Sequence, residues 1–198
     1  MPEPHVDLTG YNQSWFIRGR PAWVVILWDL TWLLLLRPCP QPFYAWKRCI
    51  WRCFGAHIGR GVLLRSTVRC NYPWKVSIGD YAWIGEEVWL YALDRITIGA
   101  HAVISQQTYL CTGSHDLNDP HFSLKTAPIT IGDGAWIALR AVIMPGLTIG
   151  AGAVISANAL LTKHAQPWTI YRGSPALPCG PRELTLAGCR PVHDEKRK

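Results

Sequence analysis

The chain has 198 residues, enough for one domain with a sizeable core. Lys and Arg number 20 against 13 Asp and Glu, a formal net charge of +7 that favours anionic partners such as CoA phosphates, sugar nucleotides, phosphoglycolipids or a membrane surface. Its seven cysteines form no C-x-x-C pair, which argues against a zinc ribbon or dithiol redox motif and fits a reducing, cytoplasmic setting.

Met1 to Arg20 is polar and lacks the apolar core of a signal peptide. The apolar run Ala22–Leu36 follows, interrupted by Asp29. It is shorter than the roughly 20 residues a membrane-spanning helix needs. It reads as a helix that either packs on the domain or lies at a membrane interface, where Trp23, Trp28 and Trp32 with Arg18, Arg20 and Arg37 would suit. A second helix is predicted over Phe43–Phe54, between Pro42 and Gly55. No acidic residue occurs between Asp29 and Asp80, whereas Arg37, Lys47, Arg48, Arg52, Arg60, Arg65, Arg69 and Lys75 all do. This basic run reads either as a solvated face or as a binding surface.

From residue 57 an internal repeat takes over. An aliphatic residue recurs every six positions, often followed by Gly and with a small residue at the fifth place. The clearest units start at Ile58, Ile78, Ile84, Ile98, Ile131 and Ile149; weaker ones start at Leu64, Leu90, Ile104, Leu110, Ile137, Ile143, Ile155 and Leu161. Short strands joined by turns, three hexads to a coil, predict an all-β solenoid of triangular section. The first and fifth residues point inward, and each coil touches only its neighbours, so both ends need covers. Ile131 to Ile149 is 18 residues, while Ile58 to Ile78 and Ile78 to Ile98 are 20 each. Ile98 to Ile131 is 33, so about 15 residues must leave the coil as a loop over 113–128. After Leu161 the repeat fades into a proline-rich segment, and the basic tail from Asp194 reads as disordered. The expected organisation is an N-terminal helical segment (1–56), the solenoid with its insertion (57–166) and a C-terminal extension (167–198).

Ile131-Gly-Asp-Gly-Ala-Trp-Ile137, Met144-Pro-Gly-Leu-Thr-Ile-Gly150, Thr162-Lys163 and Gly173-Ser-Pro-Ala176 resemble the hexapeptide-repeat acetyltransferases. Tyr109-Leu-Cys-Thr-Gly-Ser-His-Asp116, Asn71-Tyr-Pro-Trp-Lys75, Tyr11-Asn-Gln-Ser-Trp15 and Gly19-Arg-Pro21 resemble, more narrowly, the colanic-acid-type acetyltransferases of exopolysaccharide synthesis. The resemblance implies a left-handed parallel β-helix with an N-terminal helical cap and an inserted active-site loop. It also implies a homotrimer with active sites between subunits, and direct transfer of acetyl from acetyl-CoA without a covalent enzyme.

A sugar hydroxyl is a weak nucleophile near neutral pH and needs a positioned base; His115, in the inserted loop, matches the family's catalytic histidine. Asp116 either helps to orient its ring and bind substrate or starts the loop turn. Cys111 and Ser114 lie close enough in sequence to be acylated, but the family's direct transfer is preferred. For the donor, the matching positions are Ala138, Ala157, Thr162 and Lys163, with Lys163 either a phosphate contact or a solvated turn residue. Leu139, Leu177 and Gly180 depart from residues found in related sugar acetyltransferases, which leaves Arg172, Arg182 or the tail to hold the nucleotide end. Trp136 reads as a wall of the coil rather than a stacking partner of the donor. Tyr91 and Asp94 are acceptor candidates, Asp94 alternatively pairing with Arg95. His101 and His57 read as structural or exposed and His121 as a residue that could line the loop; His101, His115 and His121 lack the close spacing of a three-histidine metal site, and no metal or nucleic acid is expected.

The expected function is therefore O-acetylation of a sugar or lipid-linked glycan in polysaccharide or glycolipid biosynthesis. The expected location is cytoplasmic, with residues 22–36 as the candidate peripheral membrane contact. Two rivals stand beside it: an acyltransferase acting on another small hydroxyl acceptor, of the serine or drug type, and a non-catalytic trimeric solenoid scaffold.

Overall fold

The computed structural model describes residues 5–185, so the expected disorder of the tail lies outside the described residues. A parallel β-solenoid occupies the chain from His57 onward, in three sheets that wrap one prism. Strands of the first face end at Ile58, Ile78, Ile98, Ile131 and Ile149, each pairing in parallel with the next in that order. The 20-, 20-, 33- and 18-residue spacings thus each correspond to one coil of register. Every aliphatic hexad position named above is buried, and so are the fifth-place residues Val62, Ala82, Val88, Ala102, Ala135 and Ala153. The prism is one continuous apolar column.

The corners impose a second rule. At the corner between the first and second faces, Gly61, Tyr81, His101, Gly134, Gly152 and Trp168 all have φ between 53° and 68°. His101 is therefore a turn residue, and its ring stacks on Tyr81 at 5.3 Å. Coil contact is also tight along a glycine column. A Cβ on Gly79 would lie 2.5 Å from the backbone nitrogen of Ala100, which is why Gly follows the inward aliphatic residue there.

A solenoid has an open edge at its first coil. A trans peptide points its N–H and C=O in opposite directions. The N–H groups of Gly59, Leu63 and Arg69 bond to the second coil, so the carbonyls of Ile58, Val62 and Val68 face away from it, where no coil precedes. The N-terminal helices supply the missing donors. Helix α1 (Ala22–Thr31) widens into a π turn over Trp32–Leu36, so the run 22–36 is helical as expected. It seats on the prism through a stripe at every fourth residue. Trp28 and Leu36 are buried, and the indole N–H groups of Trp28 and Trp32 donate to the carbonyls of Cys70 and Val68, each at 2.7 Å. Helix α2 (Tyr44–Cys53) adds Arg48, which donates to Val62 at 2.9 Å, and Arg52, which donates to Ile58 at 2.6 and 2.9 Å and to Gly59 at 3.0 Å.

This accounts for much of the acid-free basic run, which is neither a bare solvated face nor one binding surface. Lys47 is buried, bonds Ser66 and Gln41 and sits over the Tyr44 ring, and burial pulls its pKa down. Arg65 pairs with Glu86, and Lys75 donates to the carbonyls of Leu93 and Ile17. At the other end, the antiparallel hairpin Thr169–Gly173/Ala176–Pro181 covers the last coil. Arg182 donates from there to the carbonyls of Gly134 and Gly152, a structural contact for a residue considered above for the donor's nucleotide end.

Replacing Arg52 with Ala is expected to cost about 1–2 kcal/mol in chemical denaturation, since two edge carbonyls lose a charged donor. Arg52→Lys should recover part of it, and Arg60→Ala, which breaks an exposed pair with Asp80, should leave the midpoint unchanged. Equal stability of Arg52→Ala and wild type would refute the capping role.

Candidate active site

Irregularity in the coils collects at one place, the corner between the third and first faces. The first two coils carry their extra residues there, over residues 71–75 and 92–95, and the third coil carries the long insertion. The insertion is a hairpin: Gly113–His115 pairs antiparallel with Leu124–Thr126, with His115 opposite Leu124. Gly113 opens it because a Cβ at that position would meet Leu93 at 2.7 Å and Tyr91 at 3.1 Å.

His115 is half-buried at the end of the first hairpin strand. Its Nδ1 lies 2.7 Å from the carbonyl oxygen of Phe122, and its ring stacks on the Phe122 ring at 4.1 Å. A carbonyl can only accept, so Nδ1 carries the proton and Nε2 of the neutral ring holds the lone pair. Phe122 has a φ of 55° and takes that position because Asp119 organises the hairpin tip. The Asp119 carboxylate accepts from the N–H groups of His121 and Ser123 and from the Ser123 hydroxyl, while the Phe122 N–H donates to the Asp119 carbonyl. The Ser123 hydroxyl and those N–H groups hold the Asp119 carboxyl below its ordinary range. Neither Phe122 nor Asp119 was singled out from sequence, although Asn118-Asp-Pro120 is a turn signal.

Asp116 starts the turn. It accepts from Lys125 Nζ at 2.8 Å and from the Asn118 N–H at 3.0 Å, and these two bonds keep its carboxyl low. The ring of His115 is oriented by the Phe122 carbonyl instead. Cys111 donates to the Gly113 carbonyl, and burial raises its thiol pKa, which disfavours the thiolate that acylation would need.

An open cleft of about 660 Å³ runs beside His115, lined by Trp15, Ser114, Leu124, Met144, Pro145 and Thr162 among others. Thr162 and the adjacent exposed Lys163 follow the third-face strand of the fifth coil, so both belong to the same corner. Tyr91 and Asp94 lie there too, one coil above the hairpin root. Tyr91 stacks on Tyr109 at 5.9 Å, and burial pushes the Tyr109 phenol up to about 12. The Asp94 N–H donates to the Thr112 hydroxyl, and Oδ1 accepts the Arg95 backbone N–H at 2.6 Å, a turn contact rather than an ion pair.

Ala138 and Ala157 sit elsewhere, at the corner between the second and third faces. Ala157 is exposed, whereas Ala138 is buried, with its N–H on Ile155 and its carbonyl accepting from Thr108 Oγ1. One protomer therefore does not bring these two positions to His115. Trp136 points outward on the second face, is exposed and donates to Ser105 Oγ at 2.9 Å. His121 caps the hairpin tip by donating from Nδ1 to the Asp7 carbonyl. Among the described residues no group of three or more His, Cys, Asp or Glu side chains is arranged to hold a metal ion.

Residues 128–163 match the model of the bacterial transferase hexapeptide (six repeats) family. The chain is 44% identical over 171 residues to the putative colanic acid biosynthesis acetyltransferase WcaF of Escherichia coli (strain K12), covering 86% of this chain and 94% of that protein. The chain belongs to the hexapeptide-repeat acetyltransferases. Its fold is that family's left-handed parallel β-helix. A hexapeptide-repeat acetyltransferase from Vibrio cholerae O1 biovar eltor, solved with acetyl coenzyme A, superposes with a TM-score of 0.75 at 25% identity, covering 84% of this chain and 92% of that one. The maltose O-acetyltransferase of Clostridium difficile 630 shares the fold, with a TM-score of 0.69 at 23% identity over 83% of this chain and 90% of that one.

Proposed function

We propose that this acetyltransferase moves acetyl from acetyl-CoA to a sugar hydroxyl in polysaccharide or glycolipid biosynthesis, with His115 as general base. The observation that carries the reading is the His115–Phe122 bond. It fixes the tautomer that leaves Nε2 free to accept a proton, on a side chain that lines the cleft. As the acceptor oxygen attacks the thioester carbonyl, Nε2 takes its proton; when the tetrahedral intermediate collapses the C–S bond breaks, the acetyl ester is left on the acceptor, and the departing CoA thiolate takes the proton back from the imidazolium to leave as the free thiol. Likeness to a colanic acid biosynthesis enzyme supports a polysaccharide or glycolipid acceptor. Tyr91 and Asp94, at the same corner, are the acceptor side of the site, with Asp116 holding the hairpin beside them.

The donor side takes Thr162 and Lys163 at this corner and Ala138 and Ala157 at the next. Met144, Pro145 and Ala127 give the cleft an apolar wall suited to the pantetheine arm, and Lys163 offers a point charge to phosphate. The separation of the two corners supports a homotrimer. The third face lies between them and turns Trp89, Tyr109, Val142 and Leu160 outward, whereas the first face turns out Ser77, Thr97, Thr130 and Thr148. Packing third faces around a three-fold axis would set the Ala138–Ala157 corner of one subunit against the His115 corner of the next.

The surface of the cap supports a peripheral membrane location. Among the described residues no helix is long and apolar enough to cross a membrane. Even so, α1 and its π turn leave Trp23, Ile26, Leu27, Leu30, Leu33 and Leu34 exposed, with Phe43 and Trp46 exposed nearby. Arg18, Arg20 and Arg37 flank this surface, the combination that holds an interfacial helix on anionic lipid. The reading is a cytoplasmic enzyme resting on the membrane that carries its lipid-linked acceptor.

His115→Ala should reduce acetyl transfer by about 10²–10⁴-fold. Melting temperature and acetyl-CoA affinity by calorimetry should stay near wild type, and a folded, CoA-binding His115→Ala protein with wild-type turnover would refute the base. Wild-type protein should co-sediment with phosphatidylglycerol vesicles, and the Leu30→Ser/Leu34→Ser double variant should remain in the supernatant while keeping its activity. Wild-type protein that ignores such vesicles would limit α1 to capping.

A further inference from the structure

Residues 5–21, ahead of α1, bury little and among them the one helical turn is the 3-10 turn at Leu8–Gly10, yet this stretch is pinned at two places. At the hairpin tip, the Asp7 N–H donates to the Pro120 carbonyl and the His121 ring donates back to the Asp7 carbonyl, each at 2.9 Å. Gly10 lies so close to the His121 ring that a Cβ would overlap it. At the other end, Trp74 Nε1 donates to the Arg18 carbonyl at 2.6 Å and Lys75 Nζ to the Ile17 carbonyl at 3.1 Å. Both anchors belong to the corner that carries His115.

The residues between the anchors are thereby strapped across the cleft. Tyr11 comes within 6.2 Å of the His115 ring, centroid to centroid. The Asn12 side chain accepts the Ser14 N–H at 2.7 Å, and the Phe16 N–H donates to the Gln13 carbonyl at 2.9 Å, which fixes the local turn. Phe16 is held in turn by Tyr72 at 6.1 Å and by Lys75 over its ring. Trp15 meets Phe16 edge-on at 6.2 Å, lines the His115 cleft and remains 52% exposed.

A tryptophan held from behind and open in front is a poor use of an indole for stability, because half of its surface stays in water. It is well suited to binding. The C–H groups on one face of a pyranose ring are apolar, and a planar aromatic face covers them, while the ring's hydroxyls need scattered polar groups. The same cleft is lined by residues that offer such groups: the Ser114 and Thr126 hydroxyls and the His115 imidazole.

Building on the sugar O-acetyltransferase reading above, we propose that Trp15 is the acceptor platform. It stacks on one face of the acceptor pyranose and holds a ring hydroxyl toward His115, so that the enzyme selects ring acceptors over acyclic ones. The strap thereby makes the N-terminal segment part of the substrate site, in addition to leading into the cap.

The test compares wild type, Trp15→Ala, Trp15→Phe and, as a control outside the cleft, Trp83→Ala, an exposed indole on the second face. Acceptors are the methyl glycosides of glucose, galactose and glucuronic acid, with glycerol as the acyclic control. The proposal expects Trp15→Ala to raise the KM for the preferred glycoside by about tenfold or more. The KM for acetyl-CoA, the rate with glycerol and the melting temperature should not move, Trp15→Phe should recover most of the loss, and Trp83→Ala should match wild type. An unchanged glycoside KM in Trp15→Ala overturns the platform and leaves the role of His115 standing. Wild-type protein that turns over none of the glycosides, or prefers glycerol, overturns the sugar reading and the platform together.

Discussion

Every coil of this prism must hydrogen-bond to a copy of itself above and below, and that constraint governs the rest of the molecule. The inward positions have to be aliphatic at the strand and small near the corner, because the next coil closes over them. Backbone approach between coils leaves no space for a Cβ at Gly79 or Gly132. The first coil has no neighbour on one side, and its carbonyls have to be satisfied by something other than a strand. Here Trp28, Trp32, Arg48 and Arg52 supply the donors. The cap both closes the apolar column and terminates the hydrogen-bond ladder.

Rigid stacking also decides where chemistry can be placed. An insertion within a strand would break register with two neighbours, whereas an insertion at a corner disturbs no ladder. The long hairpin and the extra residues of the 20-residue coils all leave from one corner, and His115, Thr162, Tyr91 and Asp94 are gathered there. His115, the proposed base, is a side chain on a short hairpin, yet its ring is oriented by a backbone carbonyl, stacked against Phe122 and approached by Tyr11. Loop chemistry on a rigid scaffold gains its precision from such supports.

The repeat was legible in the sequence because each hexad states its own inward positions, and the coil spacings located the insertion to within a few residues. The helices were legible too, since the apolar run and the Pro42–Gly55 interval bound them. What pattern reading left open were contacts between parts distant in sequence. The purpose of the basic run is an example: Arg52 bonds Ile58 only because an open edge exists in three dimensions. Asp116 left two readings from its sequence position, and only the hairpin's geometry assigns it to Lys125 and Asn118. Phe122 carries no signal of its own, because its carbonyl, and not its side-chain type, orients the His115 ring. Trp15 lies about 100 residues from His115 in sequence, beyond the reach of any periodicity.

The proposed mechanism depends most heavily on the state of one ring. If the Phe122 carbonyl fixes His115, the neutral imidazole carries its proton on Nδ1 and presents an unprotonated Nε2 to the cleft. Long-range proton–nitrogen correlation spectra of protein labelled with ¹⁵N-histidine, assigned by comparison with His115→Gln, report this directly. The expected spectrum has a protonated Nδ1 and an imine-type Nε2 for His115 in the neutral form. A His115 signal showing the proton on Nε2 would contradict the account, because the nitrogen facing the acceptor would then be a donor and could not act as the base.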